Sequence, residues 1–234
     1  MQMRNPRVAA NSSIARTSAQ VRKVKRSTRQ TNHTDADALS AAPLRTVRIW
    51  ADRGEVYAQS ELARRLSRRN KNEEALQWLR KAAHSNDPEC QMELGITLCW
   101  DHAAYREGFK WIRCAAEQGH IGAQYFLGSE LATGKNIRQN FQEAARWYRR
   151  AAMRNHSEAQ YNLALMYWAG EGVPRNRAVA HRWLEKAANS NDLLALRAIT
   201  EAYETGCLGY RKNSVRARYW RRRYNASKRA GKGN

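Results

Sequence analysis

The sequence contains no run of about 18 apolar residues, which argues against a transmembrane helix. No apolar core follows its first basic residues, as a secretory signal peptide requires. Cysteine is scarce: Cys90, Cys99, Cys114 and Cys207 stand at irregular spacing without a CxxC pair, which excludes the usual zinc-site and disulfide patterns. They read as buried or half-buried free thiols, consistent with a reducing compartment. The six histidines never form HxxxH or HExxH. His84 and His156 fall near predicted helix ends, where a protonated imidazole interacts favourably with the helix dipole. The stretch GEGVP at Gly170–Pro174 lacks the GxxxxGK[ST] of a phosphate loop and follows a predicted helix, so it reads as a turn. No convergent acid, base, nucleophile or metal-ligand set is present. The chain therefore reads as non-enzymatic, with no cofactor, no metal and no small-molecule substrate.

Acid is also scarce. Against 42 Lys plus Arg stand 21 Asp plus Glu, a net charge of +21, which favours anionic partners. The imbalance lies at the ends. Residues 1–42 hold eight Lys or Arg and two Asp, and residues 211–234 hold ten and no acid, leaving +5 for residues 43–210. Residues 1–42 also lack a lasting hydrophobic period and are expected to be disordered when alone. Their basic run, Arg22, Lys23, Lys25 and Arg26, has four readings: a solvated tail, a nucleic-acid arm, an organelle-targeting segment or a secretion signal. At the other end, Arg218, Arg221, Arg222 and Arg223 are interleaved with Tyr219, Trp220 and Tyr224, a mixture that suits single-stranded nucleic acid. The same residues also fit a terminal helix with an arginine-rich outer face, and the two readings are compatible.

What the chain has in quantity is a repeat. Trp78, Trp111, Trp147, Trp183 and Trp220 are separated by 33, 36, 36 and 37 residues. Three residues before each stands Ala75, Gly108, Ala144, Ala180 or Ala217. After the first four come the pairs Ala82-Ala83, Ala115-Ala116, Ala151-Ala152 and Ala187-Ala188. Such offsets trace one stripe of an α-helix whose small residues let a neighbouring backbone approach closely. Asn86, Gly119, Asn155 and Asn191 follow, the residues that most readily adopt the left-handed conformation that ends a helix. A second set of columns, Leu62, Leu94, Leu127, Leu163 and Ile199, has Leu66, Leu98, Leu131, Tyr167 and Tyr203 four residues later and Ala58, Cys90, Ala123, Ala159 and Ala195 four earlier. This predicts a first helix in each unit, with that stripe as its buried face. Gly134, Gly170 and Gly206 allow the reversal between helices, and Asn140, Asn176 and Asn213 cap the next. In the first two units this turn is shorter and lacks the glycine. Residues 43–53, ending before Gly54, fit an orphan second helix that caps the stack.

These columns resemble the Sel-one-like repeat family, relatives of the tetratricopeptide repeat. The fourth copy carries the pattern at Ala159, Leu163, Tyr167, Gly170, Gly172, Val173, Ala180, Trp183, Ala187 and Ala188, and the third at Leu127-Gly128, Gly134, Ala144, Trp147 and Ala151-Ala152. The resemblance implies an all-α, right-handed α-solenoid of about five helix-turn-helix repeats that serves as a protein-binding scaffold. In related solenoids the first helices line the concave surface.

The expected organisation is a basic N-terminal segment at 1–42, the repeat array at 43–224 and a basic tail at 225–234. Trp100 and Trp168 lie near the ends of first helices outside the core columns, so each is a candidate interface anchor or a ring packed on the adjoining repeat or loop. The leading functional reading is a cytoplasmic adaptor that holds a protein partner on the concave face, with basic ends contacting acidic partners. A second is an RNA- or DNA-associated protein acting through those ends. A third is a bacterial effector exported to a host through its N-terminus.

Overall fold

The computed structural model describes residues 39–100 and 104–230, which are helical apart from their turns. The run Arg22, Lys23, Lys25 and Arg26 lies outside the described residues. The helices are α1 (Leu44–Asp52), α2 (Val56–Ser67), α3 (Asn72–Ala83), α4 (Pro88–Cys99), α5 (Tyr105–Glu117), α6 (Ile121–Thr133), α7 (Phe141–Met153), α8 (Ser157–Ala169), α9 (Arg177–Asn189), α10 (Leu193–Thr205) and α11 (Ser214–Ala230). Their order is that of the expected capping helix followed by five pairs. The last helix continues past Tyr224 to Ala230.

The chain divides into two compact units within α3, between Ala75 and Leu76. In the first, α1 packs on α2 and buries Val47 and Ala51 beside Ala58, Leu62 and Leu66. Here the turn after α2 is made by Asn70, at φ 60°, in place of the glycine of later turns. Arg65 closes the helical turn at Leu39–Ala41 by donating to the Leu39 and Ser40 carbonyls, both at 2.7 Å.

In the second unit each helix packs chiefly on its neighbours in sequence, the pattern of a stack in which each repeat touches the next. Leu94, Leu127, Leu163 and Ile199 are fully buried, and so are the four Ala-Ala pairs. The helix ends follow the expected chemistry. Asn86, Asn155 and Asn191 sit at φ 64°, 66° and 63°, and Gly119 at 95°. Asn140, Asn176 and Asn213 accept from the backbone N–H three residues on, at 3.1, 3.0 and 3.0 Å.

Three expectations are corrected. Tyr167 is half-buried, because its hydroxyl reaches out to accept from Arg149 at 2.6 Å. Cys114 and Cys207 are exposed free thiols; Cys90 is buried and Cys99 half-buried, with its thiol pushed up to about 11 by burial and by the nearby Glu130 carboxylate. His84 does lie at the end of α3, 2.6 Å from the Arg80 carbonyl. His156, however, is the N-cap of α8, where its Nδ1 accepts from the Ala159 N–H at 3.3 Å. A proton there would remove the acceptor and place positive charge at the positive end of the helix.

Burial lowers the His156 pKa below its ordinary 6.5, opposed by the charges of Glu158 and Asp192. The unfolded chain therefore binds this proton more readily, and the stabilisation present above pH 6.5 is lost as pH falls through the depressed value. The thermal midpoint of the wild type is expected to fall more steeply from about pH 7 to about pH 5 than that of His156→Asn, whose cap has no proton to gain. Parallel pH profiles for the two proteins would exclude this contribution.

Candidate functional site

Repeat chemistry occupies most of the polar side chains that point inward. Gln59, Gln91, Gln124 and Gln160 form a buried column directly after the alanine column. Gln124 and Gln160 each donate at 3.0 Å to the last alanine carbonyl of the preceding second helix, Ala116 and Ala152, adding a second bond to carbonyls that also accept the Gly119 and Asn155 N–H at 3.1 Å. The tryptophans of the second helices are covered in a similar way. Lys81, Arg150, Lys186 and Arg223, each three residues after its Trp, lie 4.0, 4.6, 5.3 and 5.2 Å from the ring centroids. Cys114 holds this position in the remaining repeat. Both columns were present in the sequence as residues in register with the repeat, but their roles depend on which carbonyl or ring they reach.

The two candidate anchor tryptophans have different surroundings. Trp168 is half-buried: Arg177 and Arg175 lie over it at 5.2 and 5.8 Å, His181 stacks at 6.4 Å, and the turn at Gly209 lies beside its ring. Trp100 is 83% exposed at the end of α4. One turn before it, on the same side of the helix, Ile96 is 36% exposed, and Leu165 of α8, 40% exposed, occupies the position equivalent to Ile96.

From α4 onward charge is sorted between the two helix layers, whereas the first helix α2 carries Arg64 and Arg65 against Glu61. First helices α4, α6, α8 and α10 carry Glu89, Glu93, Glu130, Glu158, Glu201 and Glu204, and only one cation, Arg197. Second helices α5, α7, α9 and α11 carry sixteen Lys or Arg and four Glu. Summing charge along stretches of chain hides this, because the two kinds of helix alternate. Exposed Glu89, Glu158 and Glu201 share the outward side of the first helices with Ile96, Trp100 and Leu165.

The candidate arginines of α11 divide into two pairs. Arg221 pairs with Glu204, and Arg223 donates to Asn189 Oδ1 and Asn191 Oδ1, both at 2.8 Å, fastening α11 to the preceding repeat. Arg218 and Arg222 are exposed and make no ion pair among the described residues. Near this helix an open cleft of about 360 Å³ is lined by His181, Glu185, Tyr203, Tyr210 and Arg216 among others. Arg216 occupies part of it, donating to the Tyr203 hydroxyl at 2.7 Å. Burial, and then the charge of Glu185, push the Tyr210 hydroxyl well above its usual range. That suits a neutral structural group more than a proton-transfer group.

No group of three or more His, Cys, Asp or Glu among the described residues could hold a metal ion. No described helix is long and apolar enough to cross a membrane.

Short paired helices, a core shared chiefly between neighbours and a helix-ending Asn or Gly in each repeat define a helical-repeat protein of the α-solenoid class. The Sel1 repeat model matches residues 56–87, 103–120, 121–156 and 157–192, and the chain belongs to the Sel1 repeat family. Proteins of this family are generally protein-interaction scaffolds. A Sel1 repeat protein from Oxalobacter formigenes is similar at 26% identity, with a TM-score of 0.64 over 77% of this chain and 75% of that one. A protective antigen of uropathogenic Escherichia coli with the same repeat fold is similar at 26% identity and a TM-score of 0.72, over 80% of this chain and 41% of the antigen. The chain thus spans about two fifths of that antigen's length. No curated protein matches the chain.

Proposed function

We propose that this protein is a non-enzymatic scaffold that binds a partner protein across the outward side of its first helices, anchored on Trp100. The observation that carries this reading is the exposed pair Ile96 and Trp100, a large apolar surface left open in a stack whose second helices cover Trp78, Trp147, Trp183 and Trp220 with cations. Aromatic anchors of this kind dominate interface energetics when a partner buries them. The test is affinity purification of the full chain beside Ile96→Ala/Trp100→Ala, each with nuclease. A specific protein is expected with the wild type and, with the variant at unchanged thermal stability, to be depleted at least about tenfold, as loss of a hot-spot residue predicts. Equal recovery by both proteins would count against the reading.

A second contact, to a polyanion, is favoured by α11 and the turn before it. From Arg211 to Ala230 there are nine Lys or Arg and no acid, and Arg218 and Arg222 are exposed without an ion pair among the described residues. Binding of single-stranded RNA is expected to weaken steeply with salt, and Arg218→Ala/Arg222→Ala is expected to lower the salt slope by about 1.4, at roughly 0.7 per lost phosphate contact. An unchanged slope would remove α11 from the interface.

A further inference from the structure

Resting on the scaffold reading, we infer that the partner segment bound by the first helices is cationic, a stretch of protein rich in Arg or Lys with apolar side chains between them. The second helices α5, α7, α9 and α11 carry sixteen Lys or Arg against four Glu, so a cationic segment is repelled from that layer. The outward side of the first helices α4, α6, α8 and α10 differs. There, exposed Glu89 stands two turns before Ile96 on α4, exposed Glu158 two turns before Leu165 on α8, and exposed Glu201 at the position of α10 equivalent to Ile96 and Leu165. Glu89 also lies 2.9 Å from His120 Nε2, and Arg197 is the only cation in those four helices.

This arrangement selects by charge as well as by shape. The apolar side chains supply burial, and the carboxylates attract a cationic segment while repelling phosphate backbones and acidic peptides. The cationic layer of second helices and α11 has the opposite preference, so the two layers sort two kinds of partner. Helices pack at about 8–10 Å, so from α4 to α8 the face extends over roughly 20 Å, which an extended segment crosses in about six residues. A twelve-residue peptide is long enough to engage both Trp100 and Leu165.

The test uses the full chain and two synthetic twelve-residue peptides, one of repeated Arg-Leu-Ser triplets and one of repeated Glu-Leu-Ser triplets, followed by fluorescence anisotropy at low and at physiological salt. The Arg peptide is expected to bind and the Glu peptide is not. Glu89→Gln/Glu158→Gln/Glu201→Gln, which keeps the hydrogen-bonding shape of each side chain, is expected to weaken the Arg peptide about tenfold. Trp100→Ala is expected to weaken it at least as much.

If both peptides bind equally and lose affinity only in Trp100→Ala, the charge assignment is overturned while the scaffold reading stands. If the Arg peptide fails to bind but affinity purification recovers a partner that depends on Trp100, the cationic assignment is again overturned alone. If neither peptide binds and no such partner is recovered, both readings fall. A concentration-dependent dimer in sedimentation that dissolves in the triple glutamine variant would assign the face to a second copy of this chain and overturn the external partner.

Discussion

Replacing Gly172 by alanine is expected to lower the stability of the protein by about 3 kcal/mol, of which about 1 comes from the left-handed backbone and about 2 from overpacking. Gly172 sits at φ 67°, and an added Cβ would lie 2.1 Å from the Phe141 carbonyl oxygen and 2.2 Å from its carbon. Both belong to the backbone at the start of α7, so no change of rotamer relieves the contact. The turn of one repeat must instead move off the second helix of the previous repeat. Strain of the backbone alone is tolerated at this point of the repeat, since Leu208 holds the equivalent position two residues after Gly206 at φ 52°. Gly54, at φ 86° with nothing within 4 Å of an added Cβ, separates the two contributions. Gly54→Ala is expected to cost about 1 kcal/mol in urea denaturation. Equal losses in the two variants would mean that the contact with Phe141 is unimportant.

The second large effect is expected where α4 crosses α5. A Cβ on Gly108 would meet the Gly95 carbonyl oxygen at 2.6 Å and both the backbone nitrogen and Sγ of Cys99 at 2.9 Å, and one on Gly95 would meet Ile112 Cγ1 at 2.5 Å. Alanine favours a helix over glycine by roughly 0.5–1 kcal/mol, which offsets part of the clash. The net loss for Gly108→Ala is expected to be about 2 kcal/mol, because two backbones in contact have no flexible atoms to yield. Gly95→Ala forces the same separation of the same helices. The double variant is therefore expected to lose less than the sum of the single losses, by about 1 kcal/mol. Additive losses would show that the two glycines act at independent contacts.

Most of the fold was legible because a repeat supplies its own alignment. Leu94, Leu127, Leu163 and Ile199 could be compared with one another, and all are fully buried. Asn86, Asn155 and Asn191 could be recognised as helix ends because Asn and Gly share that column, and each has the left-handed φ expected of it. His156 was misread because a position near a helix end does not say which helix owns the residue, and the sign of its interaction with the dipole depends on that. Trp100 and Trp168 looked alike because the cover of Trp168 comes from the following turn, at Arg175, from the first residue of α9, Arg177, and from the next repeat, at Gly209. The sorting of charge was hidden for a different reason. Glu158 and Arg146 stand twelve residues apart in one chain segment, yet they belong to different layers of the stack.

Structural demands account for the repeated Ala, Leu, Trp, Gln, Gly and Asn positions, and the proposed partner face is the outward side of the first helices that those positions leave free. Hydroxyl-radical footprinting of the protein saturated with the partner that affinity purification recovers addresses this proposal most directly. Trp100, Ile96 and Leu165 are expected to be protected, while Met153 at the end of α7 and Tyr219 on α11, 68% and 55% exposed, are expected to react as in the free protein. Protection of Met153 and Tyr219 with Trp100 left fully reactive would contradict the account and place the partner on the second helices.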